Sequence, residues 1–256
     1  EIDTTSPTVS EVTAVTNPTN DTTPNVTFSS SEAGTVSYGG SCSSSTTSAI
    51  SGNNTVALKG SSTSNLSDNT TYSDCTITVT DEAGNVSDSI TLTEFTVDTT
   101  ASTLAEVTAV TTPTNDTTPN YSFSSSQPGT ITYGGSCSSD NSSAAANDNN
   151  TITLKGASTS TLAEGTYSDC TLTVTDNASN TVTLNISSFV IDTTAPKLSS
   201  TSPADSDNLT SISTSISVTF SEDMDNISTT TSGTTCSGSV QLSKDSFSSC
   251  IAMSST

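Results

Sequence analysis

The protein has 256 residues, room for two or three small domains, with 26 acidic side chains against four lysines, no arginine and no histidine. A net charge of −22 repels nucleic-acid phosphates and anionic lipid, attracts cations, and argues against nucleic-acid and membrane-surface binding. Serine and threonine make up 109 residues, and the scarce apolar residues alternate with polar ones in short runs, which predicts half-buried strands rather than disorder.

In chain order, the first strand is expected from Val9 to Val15, and the second at Val26 and Phe28. The turn Ser31-Glu32-Ala33-Gly34 leads into a third at Val36 and Tyr38. Val56 and Leu58 mark a fourth, and Cys75, Ile77 and Val79 a fifth. Asp81-Glu82-Ala83-Gly84-Asn85 has the residues of a hairpin turn. The last strand runs through Ile90 and Leu92 to Phe95 and Val97, and its inward parity switches near Thr93 and Glu94, which predicts a β-bulge.

The pattern then starts again. E-V-T-A-V-T-N-P-T-N-D-T-T-P at 11–24 returns as E-V-T-A-V-T-T-P-T-N-D-T-T-P at 106–119, and Y-G-G-S-C at 38–42 returns at 133–137, each after 95 residues. I-D-T-T at 2–5 becomes V-D-T-T at 97–100 and I-D-T-T again at 191–194. A unit of about 95 residues has the size of one immunoglobulin-like β-sandwich. The expected fold is therefore all-β, with tandem immunoglobulin-like sandwiches arranged end to end. Repeat one spans 1–97, repeat two 98–191, and a partial domain of a different subtype 192–256, which stops after too few strands to close. The chain opens in mid-pattern, so a secretion signal is expected upstream. No apolar run is long enough to span a membrane.

Six cysteines permit fifteen pairings. The repeat offset and inward parity select Cys42 with Cys75, Cys137 with Cys170, and Cys236 with Cys250, and hence an oxidising, extracellular compartment. The first bridge closes a loop of about 34 residues, worth roughly 3.5 kcal/mol on the chain-entropy argument. That is large for a sandwich with a thin core and no tryptophan. Tyr72 and Tyr167, just before the second cysteine of each pair, resemble the tyrosine corner of such folds.

The V-D-T-T junctions, S-S-S-E-A-G-T at 29–35, G-T-Y-S-D-C-T-L-T-V-T-D at 165–176 and V-T-D-E-A-G-N at 79–85 are similar to bacterial Ig-like repeats of large extracellular surface and adhesin-type proteins. The segment from Lys197, with S-P-A-D at 202–205 and F-S-E-D-M-D at 220–225, resembles a second bacterial Ig-like subtype. The resemblance implies export, tandem arrays and calcium at the joints. It says little about function, because one fold serves stalks, filaments and binding heads alike.

Acidic residues gather where sandwiches should meet. Asp98 is expected to face Asp176 and Asn180, with Asp21 approaching from repeat one. Asp192 is expected to face Glu222, Asp223 and Asp225, with Asp116 behind it. Such sets can supply the oxygens that calcium needs, although Asp and Asn also populate turns for reasons of backbone geometry alone. Lys59 and Lys155 take equivalent positions next to inward-facing residues, so both are expected to point outward into solvent. Asn-x-Ser/Thr sequons recur, at Asn25 and Asn185 for example, but this composition generates them by chance. The chain has no histidine base and no arginine clamp, its cysteines are expected to be paired, and no carboxylate pair stands out, so an enzyme is not expected.

The reading is a structural segment of a secreted bacterial stalk or filament. Its partners are neighbouring Ig-like domains of the same chain, with self-assembly into filaments in prospect. The alternative is an adhesin module that grips a glycan or a protein. An aromatic-lined patch would favour that, yet aromatics are only 4% of the chain and face inward by parity.

Overall fold

A computed structural model describes residues 2–142, 149–157, 160–202, 204 and 217–223. The described chain is built of β-strands and turns, with a short 3-10 turn at Ser61–Thr63. It divides into two compact units after Thr193. The first unit contains two separate hydrophobic cores.

Around the first core lie β1 (Val9–Thr13), β2 (Asn25–Ser30), β3 (Gly34–Gly39), β4 (Cys42–Ser43), β5 (Ser48–Ala49), β6 (Gly52–Ala57), β7 (Lys59–Gly60), β8 (Thr70–Tyr72), β9 (Thr76–Thr80), β10 (Ile90–Thr91) and β11 (Phe95–Val97). One sheet has the order β1-β2-β6 and the other β10-β9-β3-β5, while β11 pairs with β8 and β4 with β7. The pleat sends Val26, Phe28 and Val56 of the first sheet and Val36, Ile77 and Val79 of the second into a shared core. Each fully buried apolar side chain contributes about 1.5–3 kcal/mol. The outward positions hold hydroxyls paired across strands, such as Thr27 with Thr55 and Ser10 with Ser29, each at 2.8 Å. This is an immunoglobulin-like β-sandwich.

The second core repeats the plan with β12 (Leu104–Thr108), β13 (Asn120–Ser125), β14 (Gly129–Gly134), β15 (Asn149–Thr153), β16 (Gly165–Tyr167), β17 (Thr171–Asp176), β18 (Thr181–Asn185) and β19 (Phe189–Ile191). Its sheets are β12-β13-β15, β14-β17-β18 and β16-β19. In the second unit, β20 (Leu198–Ser202) pairs antiparallel with β21 (Ser217–Phe220). The expected pairing of Cys236 with Cys250 lies outside the described residues.

Disulfides join Cys42 to Cys75 and Cys137 to Cys170, with Cα–Cα distances of 5.1 and 5.2 Å. Cys42 does not continue β3. Gly40 takes a φ of +70°, breaks the strand, and lets Cys42 start β4 against β7. A Cβ on Gly40 would lie 2.0 Å from the Asp74 carbonyl oxygen, so the Y-G-G-S-C motif needs glycine there for both reasons. The Ser41 hydroxyl donates to the Asp74 carboxylate at 2.9 Å, and Ser136 to Asp169 likewise, tying the two arms beside each bridge. Tyr72 stacks on Phe95 and its hydroxyl accepts the Ser67 N–H, while Tyr167 stacks on Phe189 and donates to the Ala163 carbonyl. Both reach back to the backbone a few residues upstream, as a tyrosine corner does.

The parity switch of the last strand has a cause other than the expected bulge. β10 pairs with β9 and β11 with β8, so residues 92–94 carry the chain from one ladder to another. A change of partner and a bulge leave the same trace in a sequence. Bulges occur instead in the first strand of each sandwich, in β1 between Glu11 and Thr13 against β2 and in β12 between Glu106 and Thr108 against β13. From there Glu11 Oε2 accepts the Thr93 N–H at 3.0 Å and its hydroxyl at 2.6 Å. Glu106 binds the N–H and hydroxyl of Ser187 at 3.0 and 2.8 Å. A glutamate thus clasps the crossing segment in each sandwich.

Candidate functional site

The hairpin turn at one pole of the first sandwich is closed by its own first and last residues. Asp81 Oδ1 accepts the Asn85 N–H at 2.8 Å and Oδ2 accepts the Asn85 side-chain amide at 2.7 Å. Gly84 supplies the positive φ, +92°, that the turn requires. The Asn85 amide also reaches the Asp3 carbonyl at 3.2 Å, which brings the leading Asp3 beside the turn. Glu32 comes in from the turn between β2 and β3. The carboxylates of Asp3, Glu32 and Asp81 all offer an oxygen within 4.8 Å of one another. They line an open hollow of about 550 Å³ together with Ser31, Ser51 and Glu82. Asp81 is only 8% exposed, and the Asn85 amide holds its carboxyl below the ordinary aspartate range against the opposing effect of burial.

The second sandwich rebuilds this pole with fewer charges. Asp176 accepts the Asn180 N–H and amide at 2.9 and 3.0 Å, and the Asn180 amide donates to the Asp98 carbonyl at 2.9 Å. Ser179, with φ +75°, stands where the first turn has glycine. Gln127 takes the place of Glu32, and its Oε1 accepts from Ser102 at 3.5 Å. Asp98, Asp176 and Asn180 are therefore neighbours, with Asp98 contributing its backbone oxygen, while its carboxylate Oδ1 accepts the Thr100 N–H.

Asp21 and Asp116 lie two residues on from Thr19 and Thr114, whose carbonyls accept the Asp98 and Asp192 N–H groups at 2.8 and 2.9 Å. Asp21 and Asp116 are exposed, and each accepts the N–H and hydroxyl of the threonine two residues on, at 2.7 and 3.2 Å and at 2.9 and 3.3 Å. Asp192 is half-buried and donates its N–H to the Thr114 carbonyl at 2.9 Å. Glu222 and Asp223 belong to the second unit, and Asp225 lies outside the described residues. Lys155 is not simply solvated as expected. It is half-buried and paired with Asp140, the one ion pair among the described residues, because repeat two has Asp140 where repeat one has Ser45.

The trio Asp3, Glu32 and Asp81 was missed by reading the joints alone. The signal was present: carrying Asp98, Asp176 and Asn180 back by the 95-residue offset gives Asp3, Asp81 and Asn85. Three carboxylates in a solvent-open hollow form a hard-oxygen donor set suited to a divalent cation. The second pole, with Asp98 and Asp176 as its acids and the Gln127 amide in place of Glu32, forms a weaker one. The glutamates of the clasps were not visible as such, since each partner lies about 82 residues away.

Residues 192–253 match the profile of the bacterial Ig-like domain family. No curated protein matches the chain.

Proposed function

We propose, for a chain whose residues 192–253 match bacterial Ig-like domains, that the protein is a structural segment of a secreted bacterial surface stalk or filament, in which sandwiches follow one another end to end as mechanical spacers. The observation that carries this reading is that the same structural devices recur in both sandwiches of the first unit. The disulfide, the glycine turn, the stacked tyrosine, the glutamate clasp and the Asp-Asn pole all recur. A binding head diversifies its loops, whereas a spacer repeats them. The outward faces offer paired hydroxyls, with acids concentrated at turns and poles. On this reading the partners are neighbouring Ig-like domains, and the disulfides serve in an extracellular setting. Electron micrographs of the native assembly should show thin extended fibres or stalks. Isolated globular particles would overturn the proposal.

Calcium belongs to the same reading. The pole at Asp3, Glu32 and Asp81 fits a divalent cation, and the corresponding pole at Asp98, Asp176 and Asn180 fits it less well, since Gln127 replaces a carboxylate. A cation bound only by the folded chain would stabilise it by about 2.7 kcal/mol at a hundredfold excess over its dissociation constant. Calorimetry of the wild-type chain and of Glu32→Gln should show calcium binding lost or strongly weakened in the variant. Equal heats in both would exclude that pole.

A further inference from the structure

The D-T-T sequence that follows each sandwich is held by an acid from the sandwich it leaves. Asp68 stands just before β8. Its Oδ1 accepts the Thr99 N–H at 2.6 Å and its Oδ2 accepts the Thr100 hydroxyl at 2.9 Å. The preceding Asp98 N–H donates to the Thr19 carbonyl at 2.8 Å, continuing the edge of β11. In the second sandwich Glu164, before β16, accepts the Thr193 hydroxyl at 3.0 Å, and the Asp192 N–H donates to Thr114 at 2.9 Å. The arrangement is absent from the 95-residue alignment. Asp68 and Glu164 are 96 positions apart, because repeat one has two threonines, Thr70 and Thr71, where repeat two has only Thr166.

We propose that Asp68 and Glu164 are latches that bind each D-T-T linker to the sandwich it leaves and fix the linker's direction without a metal ion. The physical basis is that a linker of a few residues has few dihedrals to restrain. The Asp98 N–H, the Thr99 N–H and the Thr100 hydroxyl are all engaged at the first joint, two of them by one carboxylate. Hydrogen bonds to a charged acceptor are roughly twice as strong as neutral ones. They also satisfy a backbone donor that the sheet no longer serves. A threonine hydroxyl is engaged at both joints, Thr100 at the third linker position and Thr193 at the second, within the D-T-T sequences at 98–100 and 192–194. The inference rests on the spacer reading for its purpose, but its geometry is local to each joint.

Amide exchange by NMR on the whole chain, in chelator and again in millimolar calcium, tests it. The Thr99 N–H should be protected in both. Asp68→Ala should speed its exchange about tenfold, the scale of one lost charged hydrogen bond at an accessible site, while the Val79 and Asp98 N–H groups stay protected. Asp68→Glu should retain protection, since a glutamate also reaches the linker at the second joint, there through the Thr193 hydroxyl, and Glu164→Ala should leave Thr99 unchanged. Should Asp68→Ala lose Val79 protection, and so unfold, the wild-type and Asp68→Glu exchange still decide the matter. Fast Thr99 exchange in the wild type, or protection that vanishes with chelator, would overturn the latch. A compact particle in solution alongside a protected Thr99 would instead overturn the spacer reading and leave the latch standing.

Discussion

Gly40 shows how much a single residue carries in this fold. Its positive φ ends β3, and its missing side chain lets the Asp74 carbonyl approach. Gly135 repeats both features against Asp169. Gly40→Ala should destabilise the first sandwich by about 2–3 kcal/mol, from left-handed backbone strain and a forced backbone shift. Chemical denaturation followed by fluorescence of Tyr38 and Tyr72 would measure it, and a loss below a few tenths would refute the geometry. The motif Y-G-G-S-C was plain in the sequence, and so was the inward parity of its cysteine. The strand break between them was not, because the close approach involves a carbonyl 34 residues downstream. Lys155 failed as a solvated residue for a related reason: parity gives a side chain's face but not its neighbour, here Asp140.

At the scale of elements, the first and last strands of each sandwich are joined by a carboxylate. Burial pushes Glu106 up, but the Ser187 N–H and hydroxyl and the nearby Tyr121 outweigh it and hold its carboxyl below the ordinary glutamate range. Burial and the Glu106 charge in turn push the Tyr121 hydroxyl up. Glu106→Ala should cost the second sandwich about 1–2 kcal/mol and expose the Ser187 N–H. Denaturant midpoints of the variant and the wild type would measure the cost. Reduction of the disulfides should cost each sandwich about 3–4 kcal/mol, lowering its melting temperature by some 15–25 °C at this domain size. Calorimetry with and without reductant checks this, and an unchanged transition would contradict it. The strands and the sandwich class were legible because apolar alternation and repeat length report them directly. The crossing segment was legible only as a parity fault, since a sequence does not record which ladder a residue joins.

For the whole molecule, charge sets two opposing trends with pH. Asp68, Asp74, Asp81, Asp169 and Glu106 are held below their ordinary values by the hydrogen bonds they accept. A depressed folded pKa gives stability that is full above the unfolded value and lost as pH falls through the folded one. Self-repulsion at −22 acts oppositely and relaxes as pH approaches 4.1. With no histidine to titrate, melting temperature should stay nearly level from pH 7 to about pH 5, then fall below about pH 4 as the carboxylates protonate. A monotonic rise down to pH 2 would show that relief of self-repulsion outweighs these hydrogen bonds.

The acidic pole was only half legible: composition and junction motifs pointed to it, but Glu32 joins Asp3 and Asp81 through the turn between β2 and β3, which only folding brings near. The spacer reading meets its most direct test in small-angle X-ray scattering of the full chain. A compact 256-residue globule would have a radius of gyration of about 18 Å. Sandwiches set end to end should give a clearly larger value with the skewed distance distribution of a rod, unchanged by chelator. A value near that of the globule, with a symmetric distribution, would contradict it.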